Sequence, residues 1–138
     1  MKKIYKNKFA NPCSLHDCKV TKLEIQEDKI IFTFSKGVYD LETSCQSNKA
    51  TITVTKVDFD FCDIIIMTND NKADLINCQM FDLRQYLSQY NKIAFEIVDE
   101  TYGYNKLVFR GYQYDKKKET FDEMMISVYY FGEMIYEY

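Results

Sequence analysis

One histidine, one proline and four glycines in 138 residues leave few of the residue types on which catalysis, tight turns and linkers usually rest. A single imidazole excludes HExxH proteases, three-histidine zinc sites and C2H2 fingers, each of which needs at least two. So little glycine and proline leaves no room for a low-complexity linker, and the charge balance is too mild to force disorder, so order is expected nearly end to end. Long apolar runs are missing too. The longest strictly apolar one covers residues 64–67, far short of the ~20 residues that span a bilayer, so no membrane association is expected. The N-terminal lysines lead into "FANPCSLHD" rather than an apolar stretch, which predicts no secretory signal. No P-loop, GxGxxG, GxSxG or EF-hand loop is present.

What the chain has in excess is aromatic residues: 16% of the total, with 12 Tyr and 10 Phe, a composition that favours strands. Its length suits one domain over residues 1–138, built on one core. The net charge of −3 gives no basic field, which argues against nucleic-acid binding despite the aromatic-basic stretch "LVFRGYQYDKKK". Charge is uneven along the chain. Lys2, Lys3, Lys6 and Lys8 make the start basic, while residues 119–138 carry five acids (Glu119, Asp122, Glu123, Glu133, Glu137) and no base. Five cysteines, at 13, 18, 45, 62 and 78, are odd in number and irregularly spaced, which predicts reduced, mostly buried thiols and a cytoplasmic setting.

Residues 20–26 and 29–35 read as two strands around a Glu27-Asp28 turn, with Ile30, Phe32 and Phe34 on one face. Cys18 and Val20 share one parity and Leu23 and Ile25 the other, so a bulge is expected near Thr21 and Lys22. "GVYDLET" suits a short strand and "SCQSNK" a polar loop, while "ATITVTKV" alternates as a half-buried antiparallel strand. "FDFCDIIIMT" is dense enough for a strand covered on both faces, with "NDNKAD" as its turn. From residue 80 to 90, Met80, Leu83, Leu87 and Tyr90 recur at helical steps, the one good helix. "KIAFEIVDE", "KLVFRGYQYD" and "EMMISVYYF" follow as strands, and "GEMIYEY" extends the last or adds another. The expected fold is therefore mainly β (α+β): an antiparallel sheet of about seven or eight strands, curled or barrel-like, with one helix near residues 80–90. The strand "EMMISVYYF" is apolar on both parities, which suits a central place in the sheet or leaves one face as a partner site.

Chemistry has few carriers. Cys13, His16 and Cys18 lack the C-x2-C pair of zinc sites, and no metal or cofactor is expected. A Cys-His nucleophile would have to be assembled by the fold, because neighbours in an extended segment point apart. Asp58 and Asp60, close to Asp63, would share a strand face about 6 to 7 Å apart, which overlaps an inverting-glycosidase spacing but is also how acids commonly open a strand. No catalytic residue is assigned.

His16 and Asp17 form the candidate ligand or structural polar site: they precede a strand, where the carboxylate can cap backbone N–H groups and the imidazole can bridge two segments. From "SLHDCKVTKLEI" to Gly37, on Leu15, His16, Asp17, Cys18, Val20, Leu23 and Ile25, the chain resembles small bacterial proteins that open with Leu-His-Asp and a small residue. Some of these look like immunity proteins of toxin-immunity clusters. The resemblance covers about a quarter of the chain and implies a cytoplasmic, β-rich protein that works by binding. The expected function is a non-enzymatic protein-interaction module, with Tyr129, Tyr130, Glu133, Tyr136, Glu137 and Tyr138 as its candidate partner face. Two alternatives stand beside it: a β-barrel that binds or turns over a small molecule near His16, and a homodimer that buries the two-sided final strand.

Overall fold

The computed structural model describes residues 1–5, 11–70, 75–90 and 93–138, without the side chains of residues 69, 70, 75 and 76. In chain order its strands are β1 (Lys2–Tyr5), β2 (Cys13–Ser14), β3 (Lys19–Gln26), β4 (Lys29–Phe34), β5 (Tyr39–Asp40), β6 (Cys45–Gln46) and β7 (Ala50–Val54). A 3-10 turn at Phe59–Phe61 precedes β8 (Asp63–Asp70) and β9 (Leu75–Asp82), and the helix α1 (Leu83–Gln89) leads on to β10 (Phe95–Gly103), β11 (Lys106–Asp115), β12 (Thr120–Tyr129) and β13 (Met134–Glu137). Among the described residues, ten strands form one antiparallel sheet in the order β1-β13-β7-β4-β3-β10-β11-β12-β8-β9, and β2-β5-β6 form a small second sheet.

The mainly β, antiparallel expectation holds. The expected strand number is too low because β1 lies in a segment read only as a basic terminus, and β9 in residues that follow the expected turn and run into the expected helix start. The expected helix begins at Leu83 rather than Met80: Asp82 caps it, its carboxylate accepting from the N–H groups of Arg84 and Gln85, so Met80 stays in β9. The "NDNKAD" turn falls largely outside the described residues. So do Lys6 and Lys8.

The sheet curls but does not close, since β1 and β9 are both edges. Its bend lies between β3 and β10, which share only two residue pairs, Phe95 with Val20 and Glu96 with Lys19. Each of these strands carries a bulge beside the junction. In β3 the register shifts between Val20 and Lys22, where the conflicting parities require it. In β10 it shifts between Ile97 and Asp99. An extra residue bends a strand and tightens its twist. Opposite the second bulge, Gly111 lets β10 approach so closely that a Cβ there would stand 1.8 Å from the Glu96 carbonyl oxygen.

Folding at this corner makes the core. β4 and β11 lie three strands apart, about 14 Å in a flat sheet, yet the rings of Phe32 and Phe109 meet edge to face at 5.2 Å. Ile30, Phe34, Ile52 and Val54 from one half, and Phe95, Ile97, Met124, Ile126 and Val128 from the other, complete the buried interior. The helix α1 touches β3 as well as β8 and β9, and buries Leu83 and Tyr86.

The small sheet is tied to the β1–β13 edge through Asp40, which is 3% exposed. Its carboxylate accepts from the N–H groups of Glu42 (2.8 Å) and Thr43 (3.1 Å), the Lys3 ammonium (3.3 Å) and the Tyr138 hydroxyl (2.7 Å). The Tyr138 hydroxyl, the two backbone N–H groups and Lys3 together outweigh burial and hold this carboxyl well below the usual range.

Three outcomes follow. Phe109→Ala is expected to cost about 3–5 kcal/mol and Gly111→Ala about 1–3 kcal/mol in denaturant unfolding. Because the native pKa of Asp40 is depressed, its contribution is fully present above the unfolded-state value of about 4 and is lost as pH falls below it. Asp40→Asn should therefore be less stable at neutral pH and show a shallower acid limb, read by thermal melts across pH.

Candidate functional site

The turn that holds the only histidine is built on Leu15 and Cys18, not on His16. Leu15 is fully buried; its carbonyl accepts from the Cys18 N–H (2.9 Å) and its own N–H donates to the Glu100 carboxylate (3.0 Å). The turn docks on β10 through Asp17 N–H to Ile97 O (2.8 Å) and Ile97 N–H to Cys18 O (3.0 Å), with Asp17 in the left-handed region at φ 62. The His16 side chain is thereby turned outward, 60% exposed, its Nδ1 3.0 Å from the Asp17 carboxylate. Among the described residues its one polar contact is with the neighbouring Asp17, and the ring lies on the surface.

The other chemical candidates are dispersed as well. Cys13 and Cys62 are buried, and burial pushes each thiol up to about 11, while burial also raises the Cys18 thiol. These groups stay protonated and inert at neutral pH. Asp58 and Asp60 do not share a strand face, because residues 59–61 form the 3-10 turn: the Asp58 carboxylate accepts from the Asp60 N–H (3.2 Å), and Asp60 pairs with Arg84 (2.8 Å). Among the described residues, no group of three or more His, Cys, Asp or Glu side chains could hold a metal ion.

The C-terminal residues expected on one face are divided by the pleat. Tyr130 and Tyr136 are fully buried, and Tyr129, Glu133 and Tyr138 are half-buried. Glu137 is exposed. Tyr129 instead joins the exposed Phe61 (5.7 Å) and Phe131 (5.2 Å) in a short aromatic ridge. It borders a cavity of about 410 Å³ lined by Asp28, Lys56, Asp58, Asp60 and Arg84.

A larger surface lies elsewhere, on the outer side of β10, β11, β12, β8 and β9. The register sets Glu96, Tyr112, Glu123, Met67 and Cys78 in one row across the five strands. Beside it run Arg110, Met125, Ile65 and Met80, and on the other flank Tyr114 stands opposite Phe121. Paired residues share a face, and these have the opposite parity to the core residues Phe109, Met124, Ile126 and Ile64. Phe121 and Met80 are each 72% exposed, Tyr112 and Tyr114 are exposed, and Met125, Ile65 and Met67 are half-buried. Arg110 makes an ion pair with Glu123 in the middle of the patch. At one end Lys19, Ala94, Glu96, Tyr112, Tyr114 and Phe121 line a groove of about 300 Å³. Aromatic residues, methionine and arginine are the types enriched where proteins meet.

The signal for this face was present in the sequence. "DIIIM" and "EMMISVYY" are apolar on both parities, a pattern of strands covered on both sides, yet the fold covers only one. No known protein family, curated protein or solved structure matches the chain.

The two halves of the Leu-His motif separate by experiment. Leu15→Ala is expected to cost about 2–5 kcal/mol, and His16→Ala less than about 0.5 kcal/mol, both read by denaturant unfolding.

Proposed function

We propose that this protein is a non-enzymatic protein-interaction module of immunity type, and that its partner covers the outer face of β8–β12 rather than the C-terminal tyrosines. The observation that carries the reading is the continuous outward surface of exposed Tyr112, Tyr114, Phe121 and Met80 and half-buried Met125, Ile65 and Met67. Contiguous apolar surface of this kind is seldom left open on a monomeric protein without a use. Tyrosine offers contact area at small entropic cost, and methionine adapts to the shape it meets. The Arg110–Glu123 pair at the centre would be desolvated by a partner, and it sets the register of docking more than its strength. Glu96 and Asp99 at the margin, with the net charge of −3, favour a partner that is basic around its rim. The toxin-neutralising, cytoplasmic part of the reading rests on the Leu-His-Asp resemblance.

The groove beside Lys19 favours a second reading, a small aromatic ligand held on Tyr112, Tyr114 and Phe121. Affinity purification of tagged protein from its own cells, with mass spectrometry for proteins and small molecules, separates the two. A stoichiometric protein partner is expected. Tyr112→Ala and Met125→Lys should each weaken its binding by about 30-fold or more, the effect of losing an anchor worth ~2 kcal/mol. Glu133→Ala and Glu137→Ala should leave it unchanged. Equal binding by all four variants places the interface elsewhere, and a co-purifying small molecule with no protein partner favours the second reading.

A further inference from the structure

We propose that β9 pairs with β9 of a second copy of this chain, antiparallel about a two-fold axis, so that two sheets join edge to edge. Among the described residues β9 hydrogen-bonds to β8 on one side only, and the backbone N–H and C=O groups of its other side are directed away from the sheet. Asn77, Cys78, Gln79 and Met80 are all exposed, and among the described residues no strand pairs with the outer edge of this stretch. Edge strands are normally kept from pairing by shortness, charge, proline or a cover.

The two edges of the sheet differ in these respects. β1 is four residues long and carries Lys2 and Lys3. β9 is eight residues long, and from Leu75 to Phe81 it has no charged residue and no proline. Its one charge, Asp82, is engaged in capping α1. An uncharged edge on a chain of net charge −3 suits a copy of itself: with the two-fold axis at Cys78, residues equally far on either side of it face each other across the seam, where an acidic or basic edge would meet its own sign. The same pairing satisfies both open ladders at once and brings the Met67, Cys78 and Met80 side of the two outer faces together. An edge contact is small by the standards of stable interfaces, so the dimer is expected to form in the micromolar range rather than to be permanent. This inference does not depend on the partner proposed above.

Sedimentation velocity of the purified chain from low micromolar to near-millimolar concentration tests it. A monomer–dimer equilibrium is expected, and Gln79→Lys should remain monomeric throughout, because it sets two ammonium groups diagonally across the axis on one face, about 7–8 Å apart at their roots. Circular dichroism should show that this exposed substitution leaves the fold intact. Under mild oxidation the dimer should cross-link through Cys78, surviving in Cys45→Ser and absent in Cys78→Ser, the other cysteines outside these two being buried. A chain that stays monomeric overturns the proposal. So does a dimer that persists in Gln79→Lys, one lost instead in Tyr112→Ala, or one cross-linked through Cys45.

Discussion

The corner between β3 and β10 is the constraint on which the rest depends. Two residue pairs join the halves of a ten-stranded sheet there, and both strands leave the junction through a bulge. A flat sheet would expose an apolar face on each half. The bend lays one half over the other and buries Phe32 against Phe109. It also decides what remains outside, since only one side of each half can face inward. The outer side of β8–β12 is therefore open because the fold has a single corner and α1 is engaged between β3 and β8.

Two carboxylates that the fold buries wholly or in part, Asp40 and Glu100, sit where donors are at hand. Asp40 is shielded from water and receives two backbone N–H groups, a hydroxyl and an ammonium, which compensate a charge that would otherwise be costly to desolvate. Glu100 accepts from the Leu15 N–H and, at 3.4 Å, from the Tyr102 hydroxyl, while burial pushes its carboxyl upward. Both groups anchor segments of irregular backbone, the Asp40 loop and the 15–18 turn.

Much of the β framework was legible from period-two alternation. Ile30, Phe32 and Phe34, Ile52 and Val54, and Phe95 and Ile97 all point inward as their spacing requires, and the clash of parity at Val20 and Leu23 located a real bulge. The edges were not legible. β1 and β9 each pair on one side only and are sparsely buried, so they lack the alternation by which central strands announce themselves. The C-terminal face failed for a related reason: composition counts tyrosines, but the pleat sends Tyr130 and Tyr136 into the core. The outer face was half legible. Apolar residues on both parities of one strand reveal a second covered side, but only the three-dimensional curl tells whether the chain itself supplies the cover.

The order of strands also bears on how the molecule comes into being. β13 lies between β1 and β7, so β1 has no hydrogen-bonding neighbour except a strand more than a hundred residues later in the chain. Of the strands in the sheet, β1 therefore has to wait for β13 before it can pair. Until β13 is in place, Lys2 to Tyr5 have no strand to pair with among the described residues and are held only by the contacts of Lys3 with Asp40 and Glu42, while β7 keeps one open ladder. Closing so long a loop makes the docking of β1 a late and slow event in folding.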